Sequence, residues 1–115
     1  MAEYTVITKE VEYIPEWDGN QEKTEPITAT LAYLTAAQRS QCISGRQVSG
    51  DVAVVIDYGK AVRFGLKNLR NLVVNKKKIQ TADDLLDLSG FDALFMEIAS
   101  KIWQMNARED ARPLP

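Results

Sequence analysis

Between Pro26 and Cys42 the sequence PITATLAYLTAAQRSQC changes its hydrophobic period once, and that change constrains the fold more than any other stretch. Up to about Leu34 the apolar residues alternate, with Ile27, Ala29, Leu31 and Tyr33 on one side, the period of a half-buried strand. From Thr35 the alternation stops. Thr35 is a good helix N-cap, and Gln38 three residues on completes a capping box, each residue satisfying an otherwise unpaired N–H. The helix is expected to be short, because Gly45 and Gly50 follow as stops. A strand handed directly to a capped helix needs sheet and helix in one unit.

The segments on either side extend that reading. Tyr4 to Thr8 and Val11 with Tyr13 alternate as strands until Pro15 ends the run. Glu16 to Glu25 is a polar loop with an Asp-Gly turn signal, so residues 10–14 are expected to pair with the strand after Pro26. Asp51 to Gly59 is ambiguous: its valines favour a strand, but it is also placed to open the next helix. Val62, Leu66, Leu69 and Val73, spaced by four, three and four, predict a helix over residues 60–75. Thr81 with Asp84 caps a short helix. Ser89 with Asp92, or a continuation through Gly90, opens the last one, in which Phe91, Leu94, Phe95, Ile98, Ala99, Ile102 and Met105 form one stripe. The expected class is α+β: an N-terminal hairpin or small antiparallel sheet followed by three to four helices. Residues 1–106 read as a single domain that buries roughly two-thirds of its unfolded surface. Residues 107–115 read as a polar tail with two prolines, expected to fray.

Composition narrows the chemistry. The chain has no histidine and one cysteine, Cys42, which excludes an intrachain disulfide, His-based zinc sites and the Ser-His-Asp and Cys-His nucleophile systems. Without a histidine base, Cys42 reads as a buried, inert thiol, and an intracellular compartment fits a lone cysteine. Asp83 and Asp84 are adjacent in the first turn of a helix and diverge, so they read as stabilisers of its N-terminus and not as a catalytic pair. The isolated glycines form no phosphate loop. No catalytic residue, metal ligand or cofactor is expected. The N-terminus lacks the basic and apolar regions of a signal peptide, and no run of about 18 apolar residues suggests a membrane span.

Charge is uneven although the net is −2. Residues 1–25 carry seven acids against Lys9 and Lys23, a balance of −5, while residues 60–78 carry Lys60, Arg63, Lys67, Arg70, Lys76, Lys77 and Lys78 without an acid, +7. On a helix Lys60, Arg63, Lys67 and Arg70 would share a face. A solvated face, or one paired with the acidic N-terminal residues, explains it better than nucleic-acid binding: the domain is acidic overall, and only Phe64 is interleaved among the cations. Trp17 and Trp103 are each either partner anchors or rims of the core.

As an ordered string these pieces resemble the tail assembly chaperones of long-tailed bacteriophages. The strand PITATLAYLT running into TAAQRSQ is similar to an L-x-x-L-T-x-x-E-R junction, matched at Leu31, Leu34, Thr35 and Arg39, with Gln38 in place of the acidic residue. VRFGLKNLRNLV and TADDLLDLSGFDALFMEIASKIWQMN resemble the family's C-terminal helices, in which an acid-capped turn precedes a final helix ending near an Asn. The resemblance covers most of residues 10–106. It implies a non-enzymatic protein of the host bacterial cytoplasm that keeps the tape-measure protein soluble, with tail-tube protein as a further partner and a homo-oligomer as one possible state. The client face is expected to include Phe95, Ile98, Ile102 and Trp103 of the last helix, with Phe64 and Leu66, although packing in the core is the default reading for Phe91, Leu94 and Ile98. Two rival functions are a head–tail joining or tail-completion protein and a nucleic-acid-binding regulator using residues 60–78.

Overall fold

The computed structural model describes residues 2–48, 50–108 and 112–113. The first strand, β1 (Tyr4–Thr5), is shorter than the Tyr4–Thr8 alternation predicts, and it pairs with Arg112–Pro113 near the other end of the chain. β2 (Glu10–Tyr13) and β3 (Thr28–Ala32) form the expected antiparallel hairpin, with Val11 opposite Leu31 and Tyr13 opposite Ala29. Between them Trp17–Glu22 turns as a 3-10 helix. Thr35 then caps α1 (Ala36–Gln41), with both halves of the capping box formed. The change of period is a strand-to-helix junction, as the sequence implies.

Gly45 does not stop α1. The chain turns at Cys42 into β4 (Ile43–Val48) and returns as β5 (Asp51–Ile56), paired in register from Ile43–Ile56 to Val48–Asp51. The valines of the ambiguous segment thus take the strand, and Asp57 caps α2 (Tyr58–Gly65) by accepting the Lys60 N–H.

The helix expected over residues 60–75 is the main correction. α2 ends at Gly65, and the chain continues as β6 (Leu66–Arg70), followed by a hairpin of β7 (Val73–Val74) and β8 (Lys77–Lys78). Leu66 and Leu69 are three apart, a helical spacing, yet both face inward from a strand. Thr30 pairs with Asn68 and Leu31 with Leu66, so Lys67 is an extra residue that shifts the phase of the strand by one. A bulge therefore imitates a helix in the sequence. Asn75 and Lys76, both at positive φ, link β7 to β8 in the geometry of a two-residue hairpin turn.

α3 (Ala82–Leu86) starts with the predicted box: Thr81 Oγ1 accepts the Asp84 N–H, and Asp84 accepts the N–H groups of Gln80 and Thr81. Those backbone donors hold the Asp84 carboxyl below the usual carboxylate range. α4 (Asp92–Arg108) begins afresh, because Gly90 at φ +85° cannot lie within a right-handed helix. The chain is α+β, as expected, with further strands falling between its helices.

β2, β3 and β6 form one antiparallel sheet in that order. On its inner face Ala29, Leu31, Leu66 and Leu69 are buried against Val62 of α2, Leu85 of α3 and Leu94, Ile98 and Ile102 of α4. On its outer face Glu12 accepts a hydrogen bond from Thr30 at 2.8 Å and pairs with Arg70 at 2.6 Å, a polar ladder across three strands. α2 and α4 approach closely at Gly65: a Cβ built there would lie 2.7 Å from Ile102 Cγ2.

Two polar side chains tie the N-terminal segment down. Asn20, fully buried, donates to the carbonyls of Pro15 and Ile27 at 2.9 Å each and accepts the Ile27 N–H at 2.7 Å. Glu97 of α4 accepts from Tyr13 Oη and Glu16 N–H at 2.6 Å and from Trp17 N–H at 3.0 Å. Burial and the Glu97 carboxylate both push the Tyr13 hydroxyl far up, so it remains the donor. Glu97→Gln sets an amide donor either against the Trp17 N–H or against the two donors at Oε2, whichever way the amide turns. It is expected to lower stability by about 1 kcal/mol in chemical denaturation, with the fluorescence of Trp17 reporting the loosened segment.

Candidate interaction surface

The strand-to-helix junction and the end of α4 form one locus. The Leu34 N–H, left over where β3 stops, donates to Asn106 Oδ1 at 2.7 Å, while Asn106 Nδ2 returns to the Ile102 carbonyl at 2.7 Å. One helical turn earlier the Arg39 guanidinium lies over the Trp103 ring, 4.1 Å from its centroid. Its Nη1 is buried without a hydrogen-bond partner among the described residues, so the ring face provides the compensation for that part of the cation. Leu34, Arg39, Trp103 and Asn106 are thus joined across about 70 residues of sequence, which neither half of the chain reveals alone.

Cys42 is the C-cap of α1. It is 1% exposed, and its carbonyl accepts the Asp57 N–H at 2.6 Å. Burial, with Asp57 adding to it, pushes the thiol up, and Lys60 and Arg39 offset this only in part. The thiol stays protonated and is a poor nucleophile.

Beyond Cys42 the β4–β5 hairpin projects as an arm. Among the described residues its sheet holds two strands, and its principal contact with the body is at its base, against α1. Ile43, Val54 and Val55 are 41, 66 and 45% exposed. Val54 and Val55 are adjacent in a strand and point to opposite sides, so both sides of the arm present apolar surface.

Of the six residues expected to form a client face, Leu66, Ile98 and Ile102 are core residues at 4, 0 and 0% exposure. Six residues on one client face is therefore corrected: those three bind the protein to itself. Phe64, Phe95 and Trp103 keep partial exposure, with Phe95 packed against the core and Trp103 beneath Arg39. Trp17 also leans on the core, its ring 5.4 Å from that of Phe91. The arm is what sequence reasoning missed as a surface. The signal was present in the run VAVVI, which carries no charge between Asp51 and Asp57.

The basic stretch does not form one helical face. Lys60 and Arg63 lie on α2, Lys67 and Arg70 on β6, and Lys76 to Lys78 at the β7–β8 hairpin. Three of these cations are paired: Arg63 with Asp83 at 3.2 Å, Arg70 with Glu12, and Lys77 with Asp84 at 3.4 Å. A cleft of about 410 Å³ beside this hairpin has Leu69, Leu72 and Ile79 as apolar lining, with Glu25, Arg70 and Lys78 at its polar edge. Among the described residues no cluster of His, Cys, Asp and Glu side chains could hold a metal ion, and no helix is long and apolar enough to cross a membrane. Compared with protein-family models, with curated proteins and with solved structures, the chain gives no match.

Proposed function

We propose that this chain is a non-catalytic assembly chaperone of a long-tailed bacteriophage, which holds the tape-measure protein soluble in the host cytoplasm until tail-tube subunits close round it. The observation that carries the reading is the locus at the end of α4. The sequence resemblance rests on two distant pieces, a strand–helix junction containing Leu34 and Arg39 and a last helix ending near Asn106. In the folded chain these pieces hold each other through the Leu34–Asn106 hydrogen bond and the Arg39–Trp103 stack. Features that the resemblance treats as separate are one structural device, so they support a common fold more strongly than two independent matches would. The projecting arm adds apolar surface outside the core, which a protein that binds exposed segments of a client requires.

The test is co-expression with the tape-measure protein of the same phage, followed by mass spectrometry of mature virions. The chaperone reading expects the tape-measure protein to move from the insoluble to the soluble fraction and the chain to be missing from virions. Stoichiometric amounts of the chain in virions would overturn it in favour of a head–tail joining or tail-completion component.

A further inference from the structure

The cleft beside the β7–β8 hairpin joins two kinds of surface. Its floor is aliphatic, made of the buried side chains of Leu69, Leu72 and Ile79, and no aromatic ring lines it. Its rim is charged. The hydrogen bond from Asn71 Nδ2 to the Pro26 carbonyl, 2.9 Å, brings Glu25 to this rim, and pairing with Val73 brings Lys78. Arg70 is held by Glu12 and Lys77 by Asp84, but Lys78 and the nearby Lys76 have no ion-pair partner among the described residues. Lys76 is a second, independent sign. It stands at φ +67° in the second central position of the two-residue turn, where glycine is the ordinary choice. A lysine there is strained, and strain that persists at an exposed position points to a use for the side chain. We propose that this cleft docks a partner peptide by one aliphatic side chain seated on Leu69, Leu72 and Ile79, with a neighbouring carboxylate held by Lys78 and Lys76.

The lining selects this occupant over others. A volume of about 410 Å³ lies within the range of small-molecule sites, but such sites enclose most of their ligand. Here Glu25, Arg70, Val73 and Lys78 are exposed at the rim, so a small molecule would stay largely in water. A polymer adds contacts outside the cleft. Nucleic acid is disfavoured on two counts: the floor offers bases no ring to stack on, and Glu25 repels a phosphate. A peptide satisfies every part. Its aliphatic residue covers the floor, its carboxylate meets the two unpaired lysines, and Glu25 accepts an N–H from the same peptide. A lone aliphatic anchor with solvent-exposed ion pairs makes a weak site, with a Kd of about 0.1–1 mM. The cleft is separate from the strand–helix junction and from the arm, so this inference does not rest on the tail-assembly reading.

The experiment is an amide NMR titration of the full chain with a capped pentapeptide, one leucine between two pairs of glutamates. The amides of Leu72, Val73, Lys78 and Ile79 should shift together and saturate in the stated range. Alanine in place of the peptide's leucine should weaken binding at least about tenfold, the loss expected when a side chain of that size is no longer buried. Lys78→Glu, at an exposed position, should weaken it by at least about tenfold while leaving the amide spectrum elsewhere unchanged. Lys76→Gly should melt a few degrees higher than the parent yet bind about threefold more weakly, because it relieves the turn and removes one cation. Absence of shifts at the cleft up to about 5 mM peptide would overturn the proposal. Equal binding of the alanine peptide, or affinity unchanged by Lys78→Glu, would also overturn it. So would a stronger response of the same amides to a DNA duplex, which would give the cleft to phosphate.

Discussion

Asn20→Ala is expected to destabilise the protein by about 3–5 kcal/mol, the largest effect of any single polar substitution considered. The residue is fully buried, and its amide satisfies three backbone groups at once: the Pro15 and Ile27 carbonyls and the Ile27 N–H. Alanine removes both donors and the acceptor while leaving those groups in a site closed to solvent. Each desolvated, unpaired group costs about 1–3 kcal/mol, and partial entry of water keeps the total below the simple sum. Asn20→Asp separates this from a packing defect. Its volume is nearly the same, but at neutral pH it turns a carboxylate oxygen toward two carbonyl oxygens, so it should cost at least as much as alanine. Acidification restores one donor and should narrow the gap to the parent. Urea unfolding at pH 7 and pH 4 decides. A loss under 1 kcal/mol for both variants would show that the loop closes without the Asn20 amide.

Gly65→Ala comes second, at a net loss of about 2 kcal/mol. Two effects oppose each other. Alanine in place of glycine favours the helix by up to about 1 kcal/mol. Against this, the new methyl would meet Ile102 Cγ2 at 2.7 Å, Cδ1 at 3.0 Å and Cγ1 at 3.2 Å. Cγ2 is attached directly to the Ile102 Cβ, so it cannot swing away as the tip of a long side chain would. Relief requires α2 and α4 to separate or Ile102 to leave its rotamer, and overpacking of this kind outweighs the propensity gain. The sign should reverse in an Ile102→Ala background. There the clash is absent, and Gly65→Ala becomes neutral or stabilising, although Ile102→Ala itself costs about 2–5 kcal/mol. If Gly65→Ala destabilises equally in both backgrounds, the contact with Ile102 is not the cause.

Much of the local structure was legible because its causes are local. Thr35 with Gln38 and Thr81 with Asp84 are complete within four residues, and both boxes form. The β2–β3 hairpin followed from two alternating runs separated by a polar segment. Residues 66–74 were illegible for a physical reason: Val62, Leu66, Leu69 and Val73 match a helical stripe, and only the extra residue Lys67 converts that spacing into a strand. Nothing adjacent to Lys67 announces the bulge, which lies against the Thr30–Leu31 step of β3, a third of the domain away in sequence. The polar ties were hidden likewise. Asn20 sits in a stretch with every sign of a surface turn, and Glu97 and Asn106 look like ordinary polar positions on an amphipathic helix. Their roles are set by backbone groups some 80 and 70 residues distant. The expected client stripe failed where Leu66, Ile98 and Ile102 proved to be core, because a packing stripe and a binding stripe share one periodicity.

Two pieces stand off the core and govern how the molecule moves through solvent: the arm, and the pair of β1 with Arg112–Pro113, which contact chiefly each other. The chain has a radius of gyration of 16.4 Å and extents of 52 × 49 × 22 Å. Compact packing of 115 residues gives about 13 Å, and the same scaling reaches 16.4 Å only near 200 residues. A single chain therefore carries the hydrodynamic size of a compact protein almost twice its mass. On a gel-filtration column calibrated with globular standards, the monomer would elute close to the position assigned to a dimer. For this protein, elution volume reports shape, and only a measurement of mass counts chains.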